Sequence, residues 1–224
     1  RSASHLYEPF AGVLRAGGRA IGWAAGISDG AAVTRVVAET ERAFGPVSLL
    51  VNNAAIEGPL GPLWLNDTAA WRRCLDTNVW GPILTAQAVL PGMQARGWGR
   101  ILFVSSESGV SIPADMIHYG VTKAATIALS NGLAKRTRGT AVTVNTILGG
   151  PTYSDGVAST IESIAAAQSA PVDAVKAGII GRNHTTLLER FIKPEEIASL
   201  VAYLASPLAS ATNGAAVRVD GGVL

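Results

Sequence analysis

Short apolar runs that do not alternate, separated by longer stretches of helical period, constrain this chain more than any other feature. Leu49-Leu50-Val51 and Ile101-Leu102-Phe103-Val104 are apolar at every position, as strands covered on both faces should be. Strand candidates fall at residues 19–25, 47–52, 100–105, 141–147 and 216–219, and helical period fills 30–44, 68–95, 116–135 and 194–205. Ser28 and Asp29 can cap the first of these helices, and Gly45-Pro46 stops it. The last opens Lys193-Pro194-Glu195-Glu196, with proline early and carboxylates near the positive helix end. Such alternation implies an α/β chain with a mainly parallel sheet, right-handed crossovers and helices on both faces. The length of 224 residues suits one domain, 1–224. From 149 to about 190 no strand is legible, only helical fragments, and a connection that long usually serves as a lid or binding segment.

Composition narrows the function classes. With 48% hydrophobic and 15% charged residues a large core is available. The net charge of +2 is scattered, leaving no basic stripe for nucleic acid. No apolar run reaches the roughly 18 residues of a membrane span. The lone Cys74 excludes an internal disulfide and fits a reducing cytoplasm. Three histidines and one cysteine, widely spaced, make no metal set.

Tyr119 and Lys123 lie four apart within a helical stretch and so share one face. An ammonium beside a phenol favours phenolate, and a tyrosine tuned in this way can exchange a proton with a carbonyl or alcohol oxygen. Alone, the spacing fits an ordinary surface pair as well. Ser106 ends the 100–105 strand thirteen positions before Tyr119, at the carboxyl end where open α/β sheets bind ligands. Both Ser105 and Ser106 would otherwise simply close that strand. Two further elements precede them, Asn52-Asn53-Ala54-Ala55 after a strand and Asp76-Thr77-Asn78-Val79 in a helix.

With these four elements in order, the chain resembles the short-chain dehydrogenase/reductase family from about residue 17 to its end. The resemblance implies a Rossmann-like fold and reversible hydride transfer between NADP or NAD and a ketone or secondary alcohol. It implies that Tyr119 is the general acid/base, that Lys123 lowers its pKa and holds the nicotinamide ribose, and that Ser106 bonds the reacting oxygen. Asn78 would complete a proton relay through water. Asn52 would lie beside the adenosine half, Ala54 and Ile27 would be further cofactor contacts, and Thr152 would meet the nicotinamide carboxamide. The helices at 68–95 and 116–135 would meet their copies across a two-fold axis, as a homodimer or homotetramer. Independently, Pro82 lacks the N–H that would bond the carbonyl of Asn78, which frees that carbonyl for a water or simply kinks the helix.

The resemblance also fails in places. The family's opening strand, glycine-rich turn and helix find no match, so the N-terminal βαβ portion is expected to be missing, either because the sequence is part of a longer one or because the protein is shortened. In the second case 19–25 would pair directly with 47–52. An inactive homo-oligomeric remnant is then the competing reading. Arg1 would face a 2′-phosphate and favour NADP. Gly149-Gly150-Pro151 replaces the usual Pro-Gly, and the added glycine should loosen the backbone against the nicotinamide. His118 should point off the Tyr119 face to solvent or a partner, His184 lies in the lid segment, where it could touch substrate, and Trp64, Trp71, Trp80 and Trp98 read as packing or interface anchors.

Overall fold

The computed structural model describes residues 7–182 and 186–224. Helix α1 (Tyr7–Arg15) and α2 (Gly30–Phe44) precede strand β1 (Leu49–Asn52). Then follow α3 (Thr68–Leu75), a π-helical turn (Asp76–Trp80), α4 (Gly81–Arg96) and β2 (Trp98–Ser106). Helix α5 (Ile117–Arg136) leads to β3 (Ala141–Gly149). Helices α6 (Asp155–Gln168), α7 (Val172–Arg182) and α8 (Pro194–Ala205) come before β4 (Ala216–Val219). Among the described residues the four strands are parallel and stand in chain order, β1-β2-β3-β4.

The apolar runs are explained by two cores. Ile101, Phe103, Val142 and Val144 pack with Val89, Leu90 and Met93 on one face. Leu102 and Ile147 pack with Leu204 on the other. Alternate residues therefore serve opposite faces, and none is left to be polar. Helices α4 and α5 cover the first face and α8 the second, giving a Rossmann-like three-layer α/β fold. Local signals set the helix ends: the Asp29 carboxylate accepts the N–H groups of Ala31 and Ala32 at the start of α2, and Gly45, at φ +86°, ends it. Among the described residues no helix is long and apolar enough to cross a membrane.

Two expectations are corrected here. Residues 19–25 form no strand and pair with nothing in the sheet. Arg19 donates to the Ala43 carbonyl (3.1 Å) and lies 4.8 Å from the centre of the Phe44 ring, which ties the segment to the end of α2 rather than to β1. The direct pairing of 19–25 with 47–52 is therefore not seen, and Leu49 and Val51 stay 40% and 37% exposed. Likewise 68–95 is two helices joined by a π-turn, not one continuous helix. The Gly81 N–H bonds back five residues to the Asp76 carbonyl, just where Pro82 cannot donate at all.

Candidate active site

The carboxyl ends of β2 and β3 lie side by side, with Ser106 opposite Gly149. Helix α5 starts beside them and carries Tyr119 and Lys123 on the face turned to β2. Lys123 is buried and donates from Nζ to the Val104 carbonyl (2.8 Å), while its own carbonyl accepts from Ser105 Oγ (2.9 Å). Its ammonium stands 5.3 Å from the centre of the Tyr119 ring. Gly109 lets this helix come close, since a Cβ there would sit 2.9 Å from the Lys123 carbonyl carbon. The Ser106 hydroxyl faces the Tyr119 phenol closely enough to favour phenolate. Ser106, Tyr119 and Lys123 are thus brought together.

The electrostatics run against the simple expectation. Burial, and after it the Glu57 and Glu107 carboxylates, push the Tyr119 phenol well above its usual range, and only Ser106 draws it back. Lys123 does not prevail over these, because burial pulls its own ammonium down to about 8 while Glu57 and Glu107 support the charge. This has a consequence for stability. Between about 8 in the folded protein and 10.5 in the unfolded chain, the unfolded state binds more protons at this site. The Lys123 contribution to stability therefore rises with pH through that window. Chemical denaturation of the wild type and Lys123→Met at several pH values should show their difference moving in the wild type's favour as pH climbs.

Asn78 sits inside the π-turn and is buried. Its Oδ1 accepts the Ile56 N–H (2.8 Å), and its Nδ2 donates to the Ile56 carbonyl (2.8 Å) and to Thr122 Oγ1 (3.0 Å). Both amide protons are used, so any part in proton transfer falls to the backbone carbonyl. Thr122 Oγ1 in turn donates to the Tyr119 carbonyl (2.7 Å), so Asn78 braces the start of α5 against the loop after β1.

Of the residues expected at the cofactor, Asn52, Ala54 and Thr152 lie at or after strand ends, and Ile27 lies beside β1. Asn52 ends β1, and its Oδ1 accepts from Thr85 Oγ1 (2.6 Å) while its Nδ2 is buried without a partner. Ile27 is half-buried against Gly81 and, with Thr85 and Leu50, lines a cavity of about 340 Å³ beside β1. Ala54 is exposed in the segment after β1. Thr152 is half-buried; its hydroxyl donates to the Gly150 carbonyl (2.8 Å), and its backbone bridges Ile192. Arg1 and His184 lie outside the described residues.

Gly150 corrects a further expectation. A Cβ at this position would stand 2.4 Å from the Asp220 carbonyl oxygen and 2.7 Å from its Cα. The added glycine does not loosen the backbone; it lets the turn after β4 press against the end of β3. His118 is likewise not at the surface but 0% exposed. Its Nε2 lies 2.6 Å from the Glu57 carbonyl and its Nδ1 3.4 Å from Asn66 Nδ2, which requires the proton on Nε2. The Trp71 ring packs edge-on at 5.8 Å. Of the other tryptophans, Trp64 is 84% exposed and Trp80 half exposed, while Trp98 lies under the Arg100 guanidinium at 4.7 Å.

Sequence reasoning missed Glu57, Glu107 and the clamp made by His118. A carboxylate directly after Ser106 was a signal for Glu107. Glu57 and His118 are joined only by the tertiary fold.

A buried lysine and a tyrosine on one helix face stand beside a serine at a strand end of a Rossmann-like parallel sheet. Comparison with known proteins agrees. Residues 7–224 match the family model described as enoyl-(acyl carrier protein) reductase. The uncharacterized oxidoreductase YvrD of Bacillus subtilis is 40% identical over 187 residues, 81% of this chain and 69% of that protein. The 2-(S)-hydroxypropyl-CoM dehydrogenase 3 of Xanthobacter autotrophicus is 34% identical over 220 residues, 97% of this chain and 82% of that protein. The crystal structure of L-sorbose reductase from Gluconobacter frateurii, complexed with NADPH and L-sorbose, superposes with a TM-score of 0.92 at 27% identity, covering 100% of this chain and 84% of that one. The chain belongs to the short-chain dehydrogenase/reductase family.

Proposed function

We propose that this protein is an NAD(P)-dependent dehydrogenase/reductase acting on a ketone or secondary alcohol, with Tyr119 as its acid/base. The observation that carries this reading is the meeting of Ser106, Tyr119 and Lys123 at the carboxyl end of the sheet. A dinucleotide fits the residues around it. The unpartnered Asn52 Nδ2 offers a buried donor near the adenosine end, beside Ile27 and Ala54. Lys123 and Thr152 stand where the nicotinamide half would lie, along the strand ends where such sheets bind ligands. Among the described residues no strand leads through a glycine-rich turn into a helix, so contacts to the pyrophosphate are not assigned.

The cofactor would supply or accept the hydride. In reduction Tyr119 gives its phenolic proton to the carbonyl oxygen, and in oxidation the phenolate takes it from the alcohol. A phenol held above its usual range is the acid form, ready for reduction. Lys123 supports the phenolate as it forms, and Asn78 holds the start of α5 so that both side chains keep their places. Helices α6 and α7, within 149–190, would cover the substrate. The exposed Leu75, Trp80 and Val121 support a homo-oligomer built on the α3–α4 and α5 surfaces. The single cysteine, Cys74, is buried and free and suits the cytoplasm.

Titration with NADPH and NADH, followed by nicotinamide fluorescence, tests the reading. Saturable binding, tighter for NADPH, is the expected result. No binding at millimolar concentrations of either would leave the inactive remnant as the account of this chain.

A further inference from the structure

His118 stands next to Tyr119 in the chain, and its buried ring uses both nitrogens on one loop. Nε2–H donates to the Glu57 carbonyl at 2.6 Å, and Nδ1 accepts from Asn66 Nδ2 at 3.4 Å. A single side chain of α5 therefore holds both ends of the 57–66 segment. Between those ends the Gly61 N–H donates to the Asp115 carbonyl (2.9 Å), just before α5 begins. Gly58 is wedged between α5 and α3, since a Cβ there would stand 2.6 Å from His118 Nε2 and 2.8 Å from Cys74 Sγ.

The loop so held belongs to the cleft. It continues from the carboxyl end of β1, the side on which such sheets bind ligands. Its Glu57 carboxylate acts on the reacting pair, pushing the Tyr119 phenol up and supporting the Lys123 ammonium. A leucine could fill the space of the imidazole, but it would leave the Glu57 carbonyl and the Asn66 amide without their partner.

We propose that His118 is a positioning residue for substrate binding: its ring latches the 57–66 loop to the start of α5, so that the wall beside Tyr119 is ordered before substrate arrives. This inference rests on the reading of Tyr119 as the acid/base and deepens it. The latch does not place Tyr119 itself. That task falls to Asn78, which bonds Thr122 and through it the Tyr119 carbonyl, and which also holds Ile56. With the latch open, Tyr119 keeps its place, while the loop beyond Ile56 has to be ordered by the substrate. The entropy of that ordering lowers apparent affinity in proportion to the fraction of molecules whose loop is already in place.

The test compares wild type, His118→Leu and His118→Gln in the reduction of 2-butanone and cyclohexanone with NADPH. In His118→Leu the KM for ketone should rise about tenfold, while kcat and NADPH affinity change less than about threefold. His118→Gln keeps a donor within reach of the Glu57 carbonyl and should recover most of the KM. An unchanged KM in His118→Leu overturns the proposal. So does a loss of kcat, KM and cofactor affinity together, which is the mark of a merely structural residue, or a glutamine no better than leucine. If His118→Leu does not fold, Gly58→Ala opens the latch from the loop side and should give the same split. A KM that stays in place there, or a kcat that falls with it, overturns the proposal.

No turnover of either ketone by the wild type would instead count against the oxidoreductase reading, and amide hydrogen exchange then judges the latch. The Gly61 N–H should exchange about tenfold faster or more in His118→Leu, or in Gly58→Ala, and near the wild-type rate in His118→Gln. Equal exchange in wild type and variants overturns the proposal.

Discussion

Replacing Tyr119 by phenylalanine should lower kcat by about three orders of magnitude while nicotinamide cofactor affinity changes less than about threefold. The substitution removes one oxygen. It leaves the ring against which the Lys123 ammonium stands at 5.3 Å, and it leaves Lys123 Nζ on the Val104 carbonyl. Positioning therefore survives and proton transfer does not. Because the phenol is held well above its usual range by burial and by Glu57 and Glu107, the wild type should reduce ketones across neutral pH with little loss. Alcohol oxidation should keep rising as the solution becomes more alkaline. Steady-state kinetics of both directions against pH, with fluorescence titration of each variant, checks the pair of expectations. Equal turnover in Tyr119→Phe would remove Tyr119 from its role.

The second large effect is expected at a residue whose side chain need not meet substrate. Asn78→Ala deletes three hydrogen bonds, two to the Ile56 backbone and one to Thr122. The part-buried contact with the Ile56 backbone is lost from both sides, and the buried Thr122 hydroxyl loses a donor. At about 1 kcal/mol for each bond, with a further penalty for polar groups left buried, the cost is about 3–5 kcal/mol. Since Thr122 bonds the Tyr119 carbonyl, the start of α5 should loosen and turnover should fall together with stability. Urea denaturation measures the first and kcat the second. Asn78→Asp keeps the acceptor for the Ile56 N–H but neither donor, so it should recover only part of the stability. A stable Asn78→Ala with normal turnover would show that the brace is dispensable.

How much of this could be read beforehand depended on whether a signal was local. The α2 helix was legible to the residue because Asp29 and Gly45 punctuate it, and α8 because of its opening proline and glutamates. The middle strands were legible because both faces are covered, which leaves a run of apolar residues. Residues 19–25 misled for a related reason. Alternating Ile21 and Trp23 with small residues looks like a strand, but a strand needs a neighbour, and sequence pattern does not supply one. Ser106, Tyr119 and Lys123 could be found from spacing, because two lie on one helix face and the third closes a strand. The Glu57 carboxylate and the buried His118 could not. His118 Nε2 meets the Glu57 backbone carbonyl across positions 57 and 118, and Gly58, at φ +76°, is what allows it, since a Cβ there would stand 2.6 Å from His118 Nε2. Gly150 was noticed but misread, because its reason lies across the sheet in Asp220.

The sheet's strand order repeats the order of synthesis. Each of these described strands, as it emerges from the ribosome, can add to the edge left by the one before it. Paired residues number four between β1 and β2, nine between β2 and β3, and four between β3 and β4. The central pair with α5 between its strands is therefore the natural nucleus, and the strand end that carries Ser106 belongs to it. A nascent chain halted just beyond residue 149, once clear of the exit tunnel, would already hold Ser106, Tyr119 and Lys123 in one folding unit.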